Sequence, residues 1–248
     1  MTPRVSVSAD GTHHCRNGVP IYSERFDEVL SFHEPGLAPV RRDRRWRYIR
    51  EDGAPAFPGS FDQAYGFYDG RAAVRRGQRW FHICTDGRAA YRRSFAWCGN
   101  FQGDRAVVTL RNGTYRHITI DGTFACSESY GYAGDYHEGA AVVVGSDGAM
   151  WHIDLDGRPI NSARFEDLGP FHKGVAPARD ASGWFHVDRE GRPLYSDRFS
   201  AVEPFYNGRA RAVSLDGALL IIGADGKTIR AIRRPSRPPK ARGRTNRR

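Results

Sequence analysis

The chain has 248 residues, 40% of them hydrophobic, and a formal net charge of +10. That composition is neither disordered nor collagen-like, and no apolar run approaches the roughly 20 residues that span a bilayer. The charge is localised: residues 233–248 hold eight basic residues and no acid, which leaves a nearly neutral body of 30 basic and 28 acidic residues. Residues 1–232 are therefore read as one folded region. Residues 233–248, rich in proline and arginine, are read as a disordered basic tail. The segment Met1 to Gly11 lacks the apolar core of a secretory signal, which points to a cytoplasmic protein. The four cysteines show no CxxC spacing and are expected to be lone thiols.

A pair of acid or amide plus glycine recurs at Asn17-Gly18, Asp52-Gly53, Asp86-Gly87, Asp121-Gly122, Asp156-Gly157, Glu190-Gly191 and Asp225-Gly226, at steps of 35, 34, 35, 35, 34 and 35 residues. A step that regular means one supersecondary unit copied seven times. Other columns keep the step. A first aromatic follows each glycine (Phe26, Phe61, Phe95, Tyr130, Phe165, Phe199). A second follows (Phe32, Phe67, Phe101, Tyr136, Phe171, Phe205), usually with a glycine after it. Before each turn glycine stand a large apolar residue (Trp46, Trp80, Tyr115, Met150, Trp184, Leu219) and an aliphatic one (Ile49, Ile83, Ile118, Ile153, Val187, Ile222).

The unit beginning at Tyr136 shows what is copied. Ala141 to Val144 is β-branched and glycine-bounded, a strand. Asp147-Gly148 reads as a two-residue type I′ hairpin turn, and the same signal recurs at Asp10-Gly11, Asn112-Gly113 and Asp216-Gly217. Met150 to Asp154 is a second strand, and Arg158-Pro159-Ile160 begins a third, short one. The large apolar and aliphatic columns lie three residues apart, so they face opposite sides of one strand, and both are apolar. A sheet greasy on both faces must be covered on both. The expected fold is all-β: seven tandem repeats, each a three- to four-stranded antiparallel meander, in a propeller-like ring, with an open β-solenoid stack as the alternative.

The run aromatic-x-x-Gly-x-Ala-x-Val, then Trp-x-aromatic-Ile, Asp-Gly and Phe resembles the bacterial WG-repeat family over residues 5–232. The clearest copies are Phe67 to Phe95 and Phe171 to Phe199. No Trp-Gly dipeptide is present, which marks a divergent branch. The resemblance implies a β-repeat scaffold and transfers no catalytic residue.

Three features carry possible chemistry. His13, His82, His117, His152 and His186 share one column, with Tyr48 and Ile221 in the remaining units. They either line a site for a ligand or satisfy backbone groups of the neighbouring unit, and the free exchange of His for Tyr favours the second. His33, His137 and His172 form a second column. Arg41, Arg42, Arg44, Arg45 and Arg47, with Arg75, Arg76 and Arg79, fall on one hairpin tip of successive units and form a candidate anion-binding patch. The basic tail could add weak nucleic-acid binding. Carboxylates beside the turn glycines are turn formers. No nucleophile elbow, phosphate loop or zinc-protease motif is present, so no catalytic residue, metal site or cofactor is assigned. The sequence thus reads as a non-enzymatic β-repeat scaffold for protein–protein interaction. The alternatives are an anionic-polymer binder and an accessory or ligand-binding module for an enzyme encoded nearby.

Overall fold

The computed structural model describes residues 5–233; the basic tail beyond Arg233 lies outside the described residues. Among the described residues there are strands, turns and bends and no helix, and hence no helix long and apolar enough to cross a membrane. The chain divides into two compact units, one of residues up to 148 together with 152–158, the other of residues 149–151 together with those from 159 onward.

Seven antiparallel sheets form among the described residues. The first is Val5–Val7, His14–Arg16 and Val19–Pro20. The second is Glu28–Val29, Ala38–Arg42 and Arg45–Ile49. The third is Gln63–Tyr68, Arg71–Arg76 and Arg79–Ile83. The fourth is Trp97–Cys98, Arg105–Thr109 and Tyr115–Thr119. The fifth, Tyr132–Ala133, Ala141–Val144 and Met150–Ile153, contains the division between the two units. The sixth is Asp167–Leu168, Ala176–Asp180 and Gly183–Val187. The seventh adds a real fourth strand: Ala201–Val202, Arg209–Val213, Leu219–Gly223 and Thr228–Arg233.

From the second sheet on, each begins with a lead strand and continues as a long hairpin. The third strand of the meander is therefore this lead strand, ahead of the hairpin, and not the segment after the Asp-Gly turn. In the second, third, fourth and sixth sheets that segment holds only a single bridge: Ile49 with Pro55, Ile83 with Ala89, Ile118 with Phe124, Val187 with Pro193; in the seventh it is the strand Thr228–Arg233. The chain bows away after this bridge whether the residue is proline, as at Pro55 and Pro193, or not, as at Ala89 and Phe124. It returns at the first aromatic, where Phe95 exchanges both backbone bonds with Trp80 at 2.8 and 3.1 Å. Trp46 with Phe61, Tyr115 with Tyr130 and Trp184 with Phe199 repeat the pairing. The fourth edge of these four sheets is thus an arch pinned at both ends.

The turns also differ from the sequence reading. Asp147-Gly148, Asn112-Gly113, Asp216-Gly217 and Asp10-Gly11 are not type I′, because only the glycine has positive φ in each. Gly148 N–H donates to Gly145 O at 3.1 Å, which closes a type I turn ending in a left-handed glycine. Type I′ geometry occurs instead after the second aromatic. Asp69-Gly70, Glu138-Gly139, Lys173-Gly174 and Asn207-Gly208 all have both residues at positive φ. Two residues between paired strand ends, as at Tyr68 and Arg71, favour types I′ and II′, and positive φ at both residues selects I′.

The burial of both faces is observed. Trp46 and Tyr48 of the second sheet pack with Ala64, Phe67, Val74 and Ile83 of the third. Ile49, on the opposite face of the same strand, packs with Tyr22 and Phe26 of the first and with Val29 and Val40. Trp80 in turn joins Phe101, Val108 and Ile118 of the fourth sheet. Each such side chain contributes about 1.5–3 kcal/mol by leaving water, so each of the first four sheets is held against its neighbour.

Candidate functional site

The histidine column is shifted by one residue in the first repeat. His14, not His13, is the buried member, because Asn17-Gly18 is a two-residue turn and the count back from its glycine overshoots. For the same reason Cys15 aligns with Ile83 rather than with Cys84. His14, His82, His117, His152 and His186 are all buried.

Backbone carbonyls only accept, so they fix the tautomer. The Nε2–H of His14 donates to Leu30 O (2.9 Å), that of His82 to Gly99 O (2.8 Å), that of His117 to Gly134 O (2.8 Å) and that of His186 to Glu203 O (2.9 Å). In each case the carbonyl belongs to the residue that follows the lead strand of the next sheet. The Nδ1 lone pair then accepts from a tyrosine hydroxyl on the arch: Tyr22 to His14 (2.5 Å), Tyr91 to His82, Tyr195 to His186 (2.5 Å). Burial holds His82 and His117 down to about 4 and lowers His14 and His186 also, so the rings are neutral at pH 7. The second sheet reaches the same end differently. Tyr48 Oη donates to Tyr65 O at 2.7 Å, and the arch residue beside it is Phe57, which needs no partner. In the fourth repeat Cys126 stands at the arch position of the tyrosine, and His117 Nδ1 has no hydrogen-bond partner. Among the described residues no three His, Cys, Asp or Glu side chains converge as a metal centre requires.

The arch aromatic has a second contact. A Cβ on Gly122 would stand 2.4 Å from Tyr91 Cγ, and one on Gly87 would stand 2.3 Å from the Phe57 ring. The repeated glycine therefore supplies both the left-handed turn and the seat for the preceding repeat's ring.

The arginines of the two hairpin tips separate into two groups. Arg41 pairs with Glu28 (3.0 Å), Arg42 with Glu24 (2.6 Å) and Arg45 with Asp62. Arg44 is exposed in its turn, and Arg47 Nε is buried without a partner. Arg75 donates to Gly77 O (3.1 Å), whose own N–H is held by Asp62 (2.6 Å). Arg76 covers the Phe61 ring at 4.7 Å. Arg76 and Arg79 are joined by Arg92 and Arg93 from the arch around a cavity of about 520 Å³ floored by Phe81 and Tyr91, and no carboxylate lines it. Arg92 and Arg93 escaped the sequence reading because only the arch brings them to the hairpin tip.

A second cavity, of about 400 Å³, lies between the fourth and fifth sheets. Trp97, Thr109 and Tyr115 form one cross-strand row, and Tyr132 and Asp135 close it from the fifth sheet. Tyr115 and Tyr132 stand 5.4 Å apart at 54°. The signal in the sequence was slight: of the residues opening the lead strands, only Trp97 and Tyr132 are aromatic.

The model of the WG containing repeat matches residues 46–80 and 153–184. The chain resembles the WG-repeat family. The matched segments overlap the copies Phe67 to Phe95 and Phe171 to Phe199 in part, and they too lack a Trp-Gly pair. Among curated proteins, none matches the chain. Similar solved structures include the computationally designed Ika8 protein, at 13% identity over 93% of this chain and 84% of that one, with a TM-score of 0.52. BamB from Moraxella catarrhalis is 15% identical over 92% and 72%, with a TM-score of 0.46. The WD40 beta propeller domain of Doa1 is 14% identical over 88% and 87%, with a TM-score of 0.39. At 13% identity the likeness to Ika8 concerns fold alone.

Proposed function

We propose that this chain is a non-catalytic β-repeat scaffold that binds a protein partner. The observation that carries the reading is the open aromatic row of Trp97, Tyr115 and Tyr132. Trp46 and Trp80 are buried in sheet-to-sheet packing at 4% and 8% exposure, whereas Trp97 and Tyr115 are half-buried and Tyr132 is 49% exposed. Half-exposed tryptophan and tyrosine beside a carboxylate are what interface centres are made of. The reading is tested by affinity capture from the native host with wild type and a Trp97→Ala/Tyr132→Ala double variant. A stoichiometric partner should be retained by the first and lost by the second, and should rebind as purified protein. Capture of the same partner by both would move the interface elsewhere, and no stoichiometric partner for wild type would reject the reading.

A second reading, an anionic-polymer binder, is supported by the four arginines around Phe81 and Tyr91. Phosphates bound there would release counterions, so affinity for single-stranded nucleic acid should fall steeply between low and high salt. The contribution of residues 233–248 is measured by truncation, and an absence of binding at low salt would end this reading.

A further inference from the structure

The repeat supplies its own comparison for the Trp97 row. In the second sheet the cross-strand row is Glu28, Arg41, Trp46. In the sixth it is Asp167, Arg179, Trp184. In the third it is Gln63, Arg75, Trp80. The middle residue is arginine in these three and valine in the fifth (Val144) and seventh (Val213). Arg41 lies 5.9 Å from the Trp46 ring and 3.0 Å from Glu28; Arg179 lies 6.0 Å from the Trp184 ring and 3.8 Å from Glu166. A guanidinium is thus held between an indole face and a carboxylate in the second and sixth sheets.

The fourth sheet departs from the arginine rows at its middle. Its row is Trp97, Thr109, Tyr115, so the cation is gone while aromatic surface has increased. Many other rings carry an internal arginine, as Phe26, Phe61, Phe124, Trp151 and Phe185 do. Among the described residues no arginine or lysine stacks on Trp97, Tyr115 or Tyr132. The carboxylate is present, displaced to the fifth sheet: Asp135 makes no ion pair, and its one side-chain contact is the Gln102 amide at 3.3 Å. The result is a cavity with rings and an acid in place, and a neutral Thr109 where the arginine rows hold the cation.

We propose that the cavity of Trp97, Thr109, Tyr115, Tyr132 and Asp135 is a receptor for an arginine side chain of the partner protein, which occupies the place that arginine holds in the second, third and sixth sheets. This deepens the scaffold reading and rests on it for the source of the arginine. A guanidinium fits better than an ammonium because it stacks its plane on a ring and forks onto a carboxylate together.

The probe is the peptide acetyl-Gly-Arg-Gly-amide, with the lysine and alanine peptides as controls, titrated into the full chain and followed at the Trp97 indole N–H by NMR. The arginine peptide should give saturable shifts at Trp97, with the lysine peptide several-fold weaker and the alanine peptide silent. Asp135→Asn should weaken binding by roughly tenfold, and Tyr132→Ala by roughly fivefold. The decisive variant is Thr109→Arg. It copies the arginine rows, so it should fold as wild type does and abolish binding by filling the cavity from within. Equal binding of the alanine peptide, or undiminished binding by a folded Thr109→Arg protein, would overturn the proposal. Loss of the captured partner in Thr109→Arg links the cage to that partner. Peptide binding without any cellular partner would instead reject the scaffold reading and leave the cage as a site for a free guanidinium compound.

Discussion

The buried imidazoles make stability depend on pH in a way that one exchange can isolate. His82 has an ordinary value of 6.5 and is held at about 4 in the fold by burial. Its folded value is depressed, so the unfolded chain takes up a proton first as pH falls. Stability tied to His82 is full above about 6.5 and is lost as pH drops toward 4. Between pH 7 and pH 5 that loss is about 2 kcal/mol for this one residue. Simple removal of the ring is a poor test, because His82→Phe leaves Gly99 O without a donor and Tyr91 Oη without an acceptor, each costing about 1–3 kcal/mol. The second sheet offers a better variant. There a tyrosine reaches the next sheet's carbonyl and a phenylalanine replaces the arch hydroxyl, with no titrating group. The double exchange His82→Tyr/Tyr91→Phe copies that arrangement into the third sheet. Urea unfolding followed by tryptophan fluorescence should place the double variant within about 1 kcal/mol of wild type at pH 7. It should lose about 2 kcal/mol less than wild type on going to pH 5. Equal losses for the two proteins would refute the argument that His82 is buried neutral.

Other expectations follow from the same geometry. Gly122→Ala combines a left-handed φ of 80° with a Cβ 2.4 Å from the Tyr91 ring, whereas Gly18→Ala has positive φ and nothing within 4 Å. Thermal melts should show the first to be clearly worse, with the second costing only about 1 kcal/mol. Cys126→Tyr supplies the hydroxyl that His117 Nδ1 lacks; where the cavity admits the ring it should raise the urea midpoint, by an amount equivalent to about 1 kcal/mol. Native thiol labelling should reach Cys84 and Cys126 first. Cys98 is fully buried, its thiol is pushed up by that burial, and it should react only on unfolding. Arg45→Ala removes a half-exposed pair with Asp62 and should change stability by no more than about 1 kcal/mol, less in high salt.

Much of the fold was legible because packing repeats. Trp46 and Ile49 lie three residues apart on a strand, so both faces had to be covered, and they are. The turn types were less legible. Asp-Gly serves both a type I′ turn and a type I turn with a left-handed glycine, and the choice depends on how many residues separate the paired strand ends. The third strand was misplaced because proline marks an edge without saying whether that edge extends or breaks. Histidine chemistry was half legible: the exchange with Tyr48 pointed to hydrogen bonding into the next repeat, but the tyrosine relay needs the arch. The arginine cavity and the aromatic cage were hidden, since Arg92 meets Arg79, and Tyr132 meets Tyr115, only through register and sheet stacking.

Neutral imidazoles, donating from Nε2 to the backbone just past the lead strand of the following sheet, tie neighbouring repeats together. Long-range nitrogen–proton NMR of the histidine rings at pH 6 tests it directly. His14, His82, His117 and His186 should each show the neutral Nε2–H tautomer with a slowly exchanging ring proton. Rings that titrate near 6.5, or that carry the proton on Nδ1, would contradict the account.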